Sequence, residues 1–243
     1  MQNQSDIISG SVFDAASSTQ KNQLGREVRV GSRVFVYVSS AVDIPAGAMC
    51  IAPAATAVTA NKLTAAAIGA KEITLELAGV TANQFADGYL HLTDDTGQAY
   101  TYGIKSNTAS AATTNLVTIV LYDELLVAID ATTDCVLTAN PYGKVLLGTA
   151  SAANKAIGAA VRASTAATAG VTQYFWVQKS GPASVLLANA TSVAAGVNMI
   201  LSGTAGGIAA DADAGTTLGT EVVAIAISAA EDANGFQPVW LTC

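Results

Sequence analysis

The sequence predicts an all-β protein built from β-sandwich or barrel-like modules. Apolar residues alternate with polar or small ones along several short segments, and clusters of Gly, Pro, Asp and Asn separate these segments. Because successive side chains of a strand point to opposite faces, this period of two is typical of half-buried strands. With 243 residues, the chain is long enough to bury a sizeable core without disulfides or a structural metal.

The clearest strand begins at Arg33. Val34, Val36 and Val38 lie on one face of this segment, and Phe35 and Tyr37 lie on the other. Polar turn residues then lead into a second short strand at 49–51. The following Ala/Thr-rich tract, 52–70, is left open between a linker and a helix, because Ala favours a helix whereas Thr and Pro oppose one.

The middle of the chain predicts several more strands. Residues 72–77 alternate as expected for a sheet with one wet face. Residues 89–93 and 98–104 flank a turn of the Asp-Gly type and are interpreted as a hairpin. An apolar strand is predicted at 116–122, with one short helical turn following it at 123–126.

The C-terminal third also predicts a series of strands. The Gly181-Pro182 step is expected to end the strand that begins at Gln173. In the segment 221–228, large side chains alternate with small ones, so both of its faces are predicted to be buried. The predicted strands of this third are 156–161, 173–179, 185–187, 197–201, 221–228 and 238–241.

We interpret the chain as an N-terminal arm and two β modules. The arm spans residues 1–25, the main domain combines 26–69 with 146–243, and the inserted module spans 70–145. An internal duplication is the alternative layout, because residues 44–50 resemble residues 193–199 and each segment follows an aromatic strand.

Four residues are predicted to contact a partner. The polar arm has no sustained periodicity, so we expect it to be unstructured in the free protein and to order against a neighbour or the capsid through Phe13 and Leu24. Tyr174 and Trp176 share one strand with Phe175, and these aromatic residues could form a sugar-stacking platform. In a sheet, however, such residues are more often core or interface anchors, and we interpret them as subunit contacts.

Composition excludes some partners. The net charge is −7 and no basic cluster is present, so nucleic acid is not expected to bind. No uninterrupted apolar run of about 20 residues predicts a membrane span, and residues 1–14 lack the pattern of a secretion signal. Charged residues make up 12% of the chain, about half the usual share, which favours a protein packed among others in an assembly.

Candidate catalytic residues are few. His91 is the only histidine, and its alternation with Leu90 and Leu92 places it on the solvent side of a strand, where a general-base role is not expected. Asp94 and Asp95 are adjacent in the sequence. We interpret them as turn residues and not as an acid/base pair. We therefore predict a non-enzymatic protein with neither a catalytic site nor a cofactor.

No metal site is predicted either. Residues 211–215 begin like a calcium loop but lack its remaining ligands and its closing Glu, so a solvated loop is expected. Cys50, Cys135 and Cys243 lack the paired spacing of a zinc site or a redox motif. We expect three reduced thiols in a protein assembled in the cytosol.

Four phrases of the sequence resemble virion proteins that tailed bacteriophages and prophages encode near their major capsid genes. They are residues 77–90, 96–107, 138–142 and 175–183. The resemblance implies an auxiliary capsid protein, of the decoration or cement type. Such proteins are β-rich, commonly trimeric, and lie outside the head over junctions between major capsid subunits.

This resemblance sets the functional expectation. It implies a homotrimer that binds the major capsid protein, is assembled in the host cytoplasm and resides on the capsid surface of the virion. The alternative is a host-recognition or carbohydrate-binding module of a phage fibre or tail assembly. A virion hydrolase or lyase is disfavoured, because carboxylate and histidine clusters are missing from the sequence.

Overall fold

The structure is a computed structural model of the whole chain, and it describes residues 10–58, 62–149, 155–165, 170–188, 193–202, 205–211, 221–229 and 235–243. In these ranges the regular secondary structure consists of β-strands, every strand pairs in antiparallel fashion, and no helix occurs. The all-β prediction with curled, barrel-like sheets is therefore confirmed. The strands are β1 Glu27–Val30, β2 Arg33–Ser40, β3 Met49–Ile51, β4 Thr56–Val58, β5 Glu72–Glu76, β6 Tyr89–Asp94, β7 Thr101–Asn107, β8 Leu116–Leu121, β9 Asp134–Thr138, β10 Leu146–Leu147, β11 Ala156–Ala160, β12 Gln173–Leu186, β13 Asn198–Leu201, β14 Ile208–Ala210, β15 Val222–Ala226 and β16 Phe236–Thr242.

The chain divides into two compact units. The main unit contains Met1–Ala52 and Tyr142–Cys243, and the inserted unit contains Pro53–Pro141. The Ala/Thr-rich tract contributes β4, which pairs with β9 and so belongs to the inserted unit. The sequence interpretation had begun this module at residue 70, because β4 is too short to show a clear alternation.

The inserted unit is a six-stranded sheet in the order β4-β9-β6-β7-β8-β5. Its core consists of the alternate apolar residues of these strands, together with Phe85 and Leu125 from the connections. The predicted hairpin is present as β6 and β7. The predicted helical turn at 123–126 is absent, because the backbone of Leu125 bonds across to Ala70 instead of to its own chain neighbours.

The main unit is a ten-stranded sheet in the order β10-β3-β11-β12-β16-β15-β13-β14, with β2 also paired to β12 and β1 to β2. Strand β12 runs through Gly181 and Pro182, so the predicted break at that step is wrong. Instead, β12 changes partner at Ser180, pairing with β2 before it and with β16 after it. Gly181 permits this bend, because its φ is +89° and a Cβ there would lie 2.5 Å from the carbonyl oxygen of Ser32.

The main unit contains the same five-strand arrangement twice. The first repeat has the order β10-β3-β11-β12-β2, using the first half of β12, and the second has the order β14-β13-β15-β16-β12, using its second half. The repeats also share an irregularity. A bulge leaves Ile157 unpaired where β11 meets β3, and an equivalent bulge leaves Val223 unpaired where β15 meets β13.

Matching hydrogen bonds confirm the internal repeat suggested by residues 44–50 and 193–199. The Gly47 amide donates to the Ala160 carbonyl at 2.8 Å, and the Gly196 amide donates to the Ala226 carbonyl at 2.8 Å. Both glycines have positive φ, at +71° and +82°. The duplication and the discontinuous layout are therefore both present, since the inserted unit interrupts the first repeat between β3 and β10.

The prediction that both faces of 221–228 are buried is wrong. Ala224 and Ala226 are buried, whereas Ile225 and Ile227 are 39% and 49% exposed. Val223, which lies at the bulge, is buried as well, so of the large residues Ile225 and Ile227 are the ones that face outward.

Candidate functional site

The first repeat has an aromatic outer face that is covered by the chain's own arm. This face consists of Phe35 and Tyr37 from β2 and of Tyr174 and Trp176 from β12, and Phe35, Tyr37 and Trp176 are no more than 4% exposed. The residues that cover it are Val12, Leu24 and Val28.

Polar contacts fix the arm in this position. Ser17 and Tyr174 exchange backbone hydrogen bonds of 3.0 and 2.8 Å, and strand β1 adds to the edge of β2. Arg162 also donates from Nη1 to the carbonyl oxygen of Phe13 at 3.3 Å. Residues 10–25 thus pack on the chain itself, whereas the sequence interpretation had the arm ordering only against a neighbour.

The equivalent face of the second repeat has no such cover among the residues that the structure describes. Aligning the two repeats by their bulges and strand registers makes Phe236 equivalent to Tyr174, and Pro238 equivalent to Trp176. Phe236 is 55% exposed, and Trp240, on the same face, is 48% exposed. We call this surface the bare face, and it consists of Pro182, Ser184, Ile225, Ile227, Phe236, Pro238 and Trp240.

The reason for this difference lies in the chain path. The first repeat is preceded by residues 10–30, which lie over its outer face. The second repeat starts in the middle of β12, so the chain enters it directly from the first repeat, and no segment in the described part of the chain covers its outer face. Exposed contiguous apolar surface of this kind marks sites of contact with other molecules.

A groove of about 750 Å³ runs from the arm to the bare face. Its lining includes Phe13 and Arg33 from the N-terminal part of the chain, together with Ile227, Phe236 and Pro238 of the bare face. The Arg33 guanidinium stacks over the rings of Phe13 and Phe35, at 5.2 and 5.3 Å from their centroids. Among the described residues, no carboxylate lies within 4 Å of this guanidinium.

The four predicted partner-contact residues do not form one exposed surface. Trp176 is buried, Leu24 and Tyr174 are half-buried, and only Phe13, which is 43% exposed, presents a large apolar surface to solvent. Within the chain, Tyr174 stacks on Tyr37 at 6.4 Å between centroids. Sequence reasoning missed Phe236 and Trp240, although their alternation in β16 was a visible signal.

The inserted unit carries a second exposed surface, a row of tyrosines on its sheet. Tyr89 pairs with Gly103 across the strands, and the Tyr122 ring lies over the same glycine. Tyr89 is 46% and Tyr122 is 50% exposed. The Tyr122 hydroxyl donates to the Asp87 carboxylate at 2.5 Å, and this bond raises the pKa of the Tyr122 phenol.

The candidate titratable residues of the sequence are placed as follows. Both ring nitrogens of His91 lie near threonine hydroxyls, at 3.2 Å from Thr101 and 3.1 Å from Thr138. Asp94 and Asp95 form the predicted turn, in which the Asp95 amide donates to the Asp94 carboxylate. These contacts are those of a strand histidine and a turn.

Cys50, Cys135 and Cys243 are free thiols. Burial raises the pKa of each of them to about 12. Of the calcium-like segment, Asp211 alone falls in the described part of the chain. In that part, no three His, Cys, Asp or Glu side chains lie together as a metal-binding group.

No family model matches the chain, and neither curated proteins nor solved structures provide a match. The described residues include no apolar helix of membrane-spanning length.

Proposed function

We propose that this protein is a structural component of a tailed-bacteriophage virion that binds the outside of the major capsid shell and stabilises it. The observation that supports this proposal most strongly is that both units expose several large apolar side chains among the described residues. They include Phe13, Ile68, Tyr89, Tyr122, Leu126, Phe236 and Trp240. Surfaces of this kind support a protein that works by contact with other proteins.

The low charge of the chain supports the same role. With 12% charged residues, copies of this protein repel one another and a shell only weakly, so they can crowd on a lattice. Many copies that each bind with modest affinity can together resist expansion of a shell. The four phrases that resemble phage virion proteins direct the proposal to the capsid.

Binding to phage heads that lack the protein tests the proposal. Purified protein is mixed with such heads, and co-sedimentation is measured as a function of its concentration. We expect saturable binding to heads and none to an unrelated capsid of similar size. Protein that stays in the supernatant at all concentrations would reject the proposal.

The arm provides a second test of the same proposal. If residues 1–20 contact the shell or a neighbour, their deletion lowers head occupancy. Unchanged occupancy in the deletion variant would assign the arm to the internal cover of the first repeat alone.

Glycan binding by the inserted unit is a second candidate function, and the tyrosine row favours it. Exposed aromatic rings stack on the apolar faces of sugars, and a nearby carboxylate such as Asp87 accepts hydrogen bonds from sugar hydroxyls. Glycine in a strand interior, as at Gly103, also allows a ligand to approach the backbone closely.

Glycan-array screening of the purified protein, with Tyr89→Ala and Tyr122→Ala as variants, tests this candidate. Specific binding that both variants abolish would support it. Leu116→Ala, an exposed residue elsewhere on the inserted unit, is the matched control. A blank array would remove this candidate.

A further inference from the structure

The bare face has a chemical character that limits what can cover it. Its seven residues are all uncharged. The groove beside it contains a single charged side chain, Arg33, which has no carboxylate partner among the described residues. A matching surface is therefore apolar and carries a negative charge at one side.

One part of the inserted unit matches this description. Residues 66–70 and 125–129 run side by side, with the Gly69 amide donating to the Leu125 carbonyl at 2.8 Å. They present Ile68 and Leu126, which are 69% and 64% exposed and are the most exposed large apolar residues described. Asp123 and Glu124, next to Leu126, are also exposed. We call Ile68, Leu126 and these two carboxylates the apolar tip.

We propose that the apolar tip of one molecule packs on the bare face of another molecule of the same chain. Ile68 and Leu126 would lie against Phe236 and Trp240, while Asp123 or Glu124 would approach Arg33. This arrangement buries apolar side chains from both sides, and it gives Arg33, which has no carboxylate partner among the described residues, a carboxylate to pair with.

The charge pattern favours a contact between tip and face over a contact between two bare faces. Two bare faces in contact would leave Arg33 of each molecule without an acidic partner. The contact of tip and face is heterologous, since each molecule uses a different surface on either side. Such contacts form rings if they close, and they leave one unused tip and one unused face if they do not.

Self-association of designed variants tests the proposal. Molar mass is measured by light scattering after gel filtration, over a wide range of protein concentrations. The tip variant is Ile68→Ser with Leu126→Ser, and the face variant is Phe236→Ser with Trp240→Ser. We expect oligomers for the unchanged protein and monomers for either variant alone.

A mixture of the two variants is the decisive sample. The face variant keeps an intact tip and the tip variant keeps an intact face, so an equimolar mixture should form a one-to-one heterodimer and nothing larger. Leu116→Ser and Val42→Ser, exposed residues outside both surfaces, should oligomerise like the unchanged protein. Circular dichroism spectra identify any variant that fails to fold.

Three results would overturn the proposal. In the first, the unchanged protein is monomeric at every concentration. In the second, the folded tip or face variant oligomerises like the unchanged protein. In the third, the mixture of the two variants stays monomeric. Because none of these measurements involves phage heads, the proposal can fail while shell binding stands, and the reverse also holds.

Discussion

Single glycines decide where the main unit can bend. Gly181 and Gly196 share a left-handed backbone, with φ of +89° and +82°, but their surroundings differ. A Cβ at Gly181 would meet the Ser32 carbonyl oxygen at 2.5 Å, whereas nothing lies within 4 Å of a Cβ at Gly196. The two positions therefore separate backbone strain from steric overlap.

Gly181→Ala should destabilise the protein more than Gly196→Ala. The left-handed conformation costs either alanine about 1–2 kcal/mol. Overlap with the β1–β2 turn should cost Gly181→Ala a further ~1–3 kcal/mol. Urea unfolding midpoints measure the difference, and equal midpoints for the two variants would contradict the close approach at Ser32.

The cysteines should react slowly in the folded protein. With a pKa of about 12, each thiol is ionised to roughly one part in ten thousand at pH 8, and only the thiolate is nucleophilic. Titration with a disulfide reagent should label three thiols rapidly in denaturant and none rapidly without it. Rapid labelling of a thiol in the folded protein would show that burial does not protect that residue.

At the level of strands, the two repeats differ in what covers them. The arm lies over the outer face of the first repeat, and the same face of the second repeat is open. Each face contains one tryptophan. Trp176 of the first repeat is 4% exposed, and Trp240 of the bare face is 48% exposed. The two indoles therefore report on the two faces separately.

Acrylamide quenching of single-tryptophan variants should show this contrast. At concentrations where the protein is monomeric, Trp240 in Trp176→Phe protein should be quenched strongly, and Trp176 in Trp240→Phe protein weakly. Deleting residues 1–25 from the Trp240→Phe protein should make Trp176 accessible. If the folded deletion variant keeps Trp176 protected, the arm is not its cover.

Strands with a clear period of two were predictable, and those that depend on distant partners were not. The alternation in β5 and β6 reflects one buried face, which the sequence shows directly. In β2 the same alternation identified the strand, although both of its faces are buried. The short strands β1, β10 and β14 are too brief for any period. The path of β12 through Gly181 and Pro182 depends on two partner strands, which no local pattern contains.

The candidate site was harder to predict for a related reason. Trp240 lies in the strand predicted at 238–241, and Phe236 extends the same alternation beyond that prediction. The exposure of both residues depends on the arm covering a different face. The equivalence of the two faces is visible only from the strand registers, because the inserted unit separates the strands of the first repeat along the sequence.

At the scale of the whole molecule, the two units have separate cores. The core of the inserted unit contains only residues between Pro53 and Pro141. In the main unit, Ile51 pairs with Leu146, so the chain segments before and after the insert meet in one sheet. Each unit therefore contains what it needs to fold.

Each unit should fold when expressed alone. Residues 53–141 should give a β-type circular dichroism spectrum and cooperative thermal unfolding. The main unit should do the same when a flexible Gly/Ser linker replaces the insert, because β3 and β10, which flank the insert, are paired with each other. An unfolded insert or an unfolded main unit would show that the two depend on each other for stability.

Heat-induced DNA release from phage heads tests the central claim most directly. Heads that lack the protein are heated with and without a saturating amount of it, and released DNA is followed by dye fluorescence. We predict that bound protein raises the temperature of release. An unchanged release temperature at full occupancy would contradict a stabilising role on the shell.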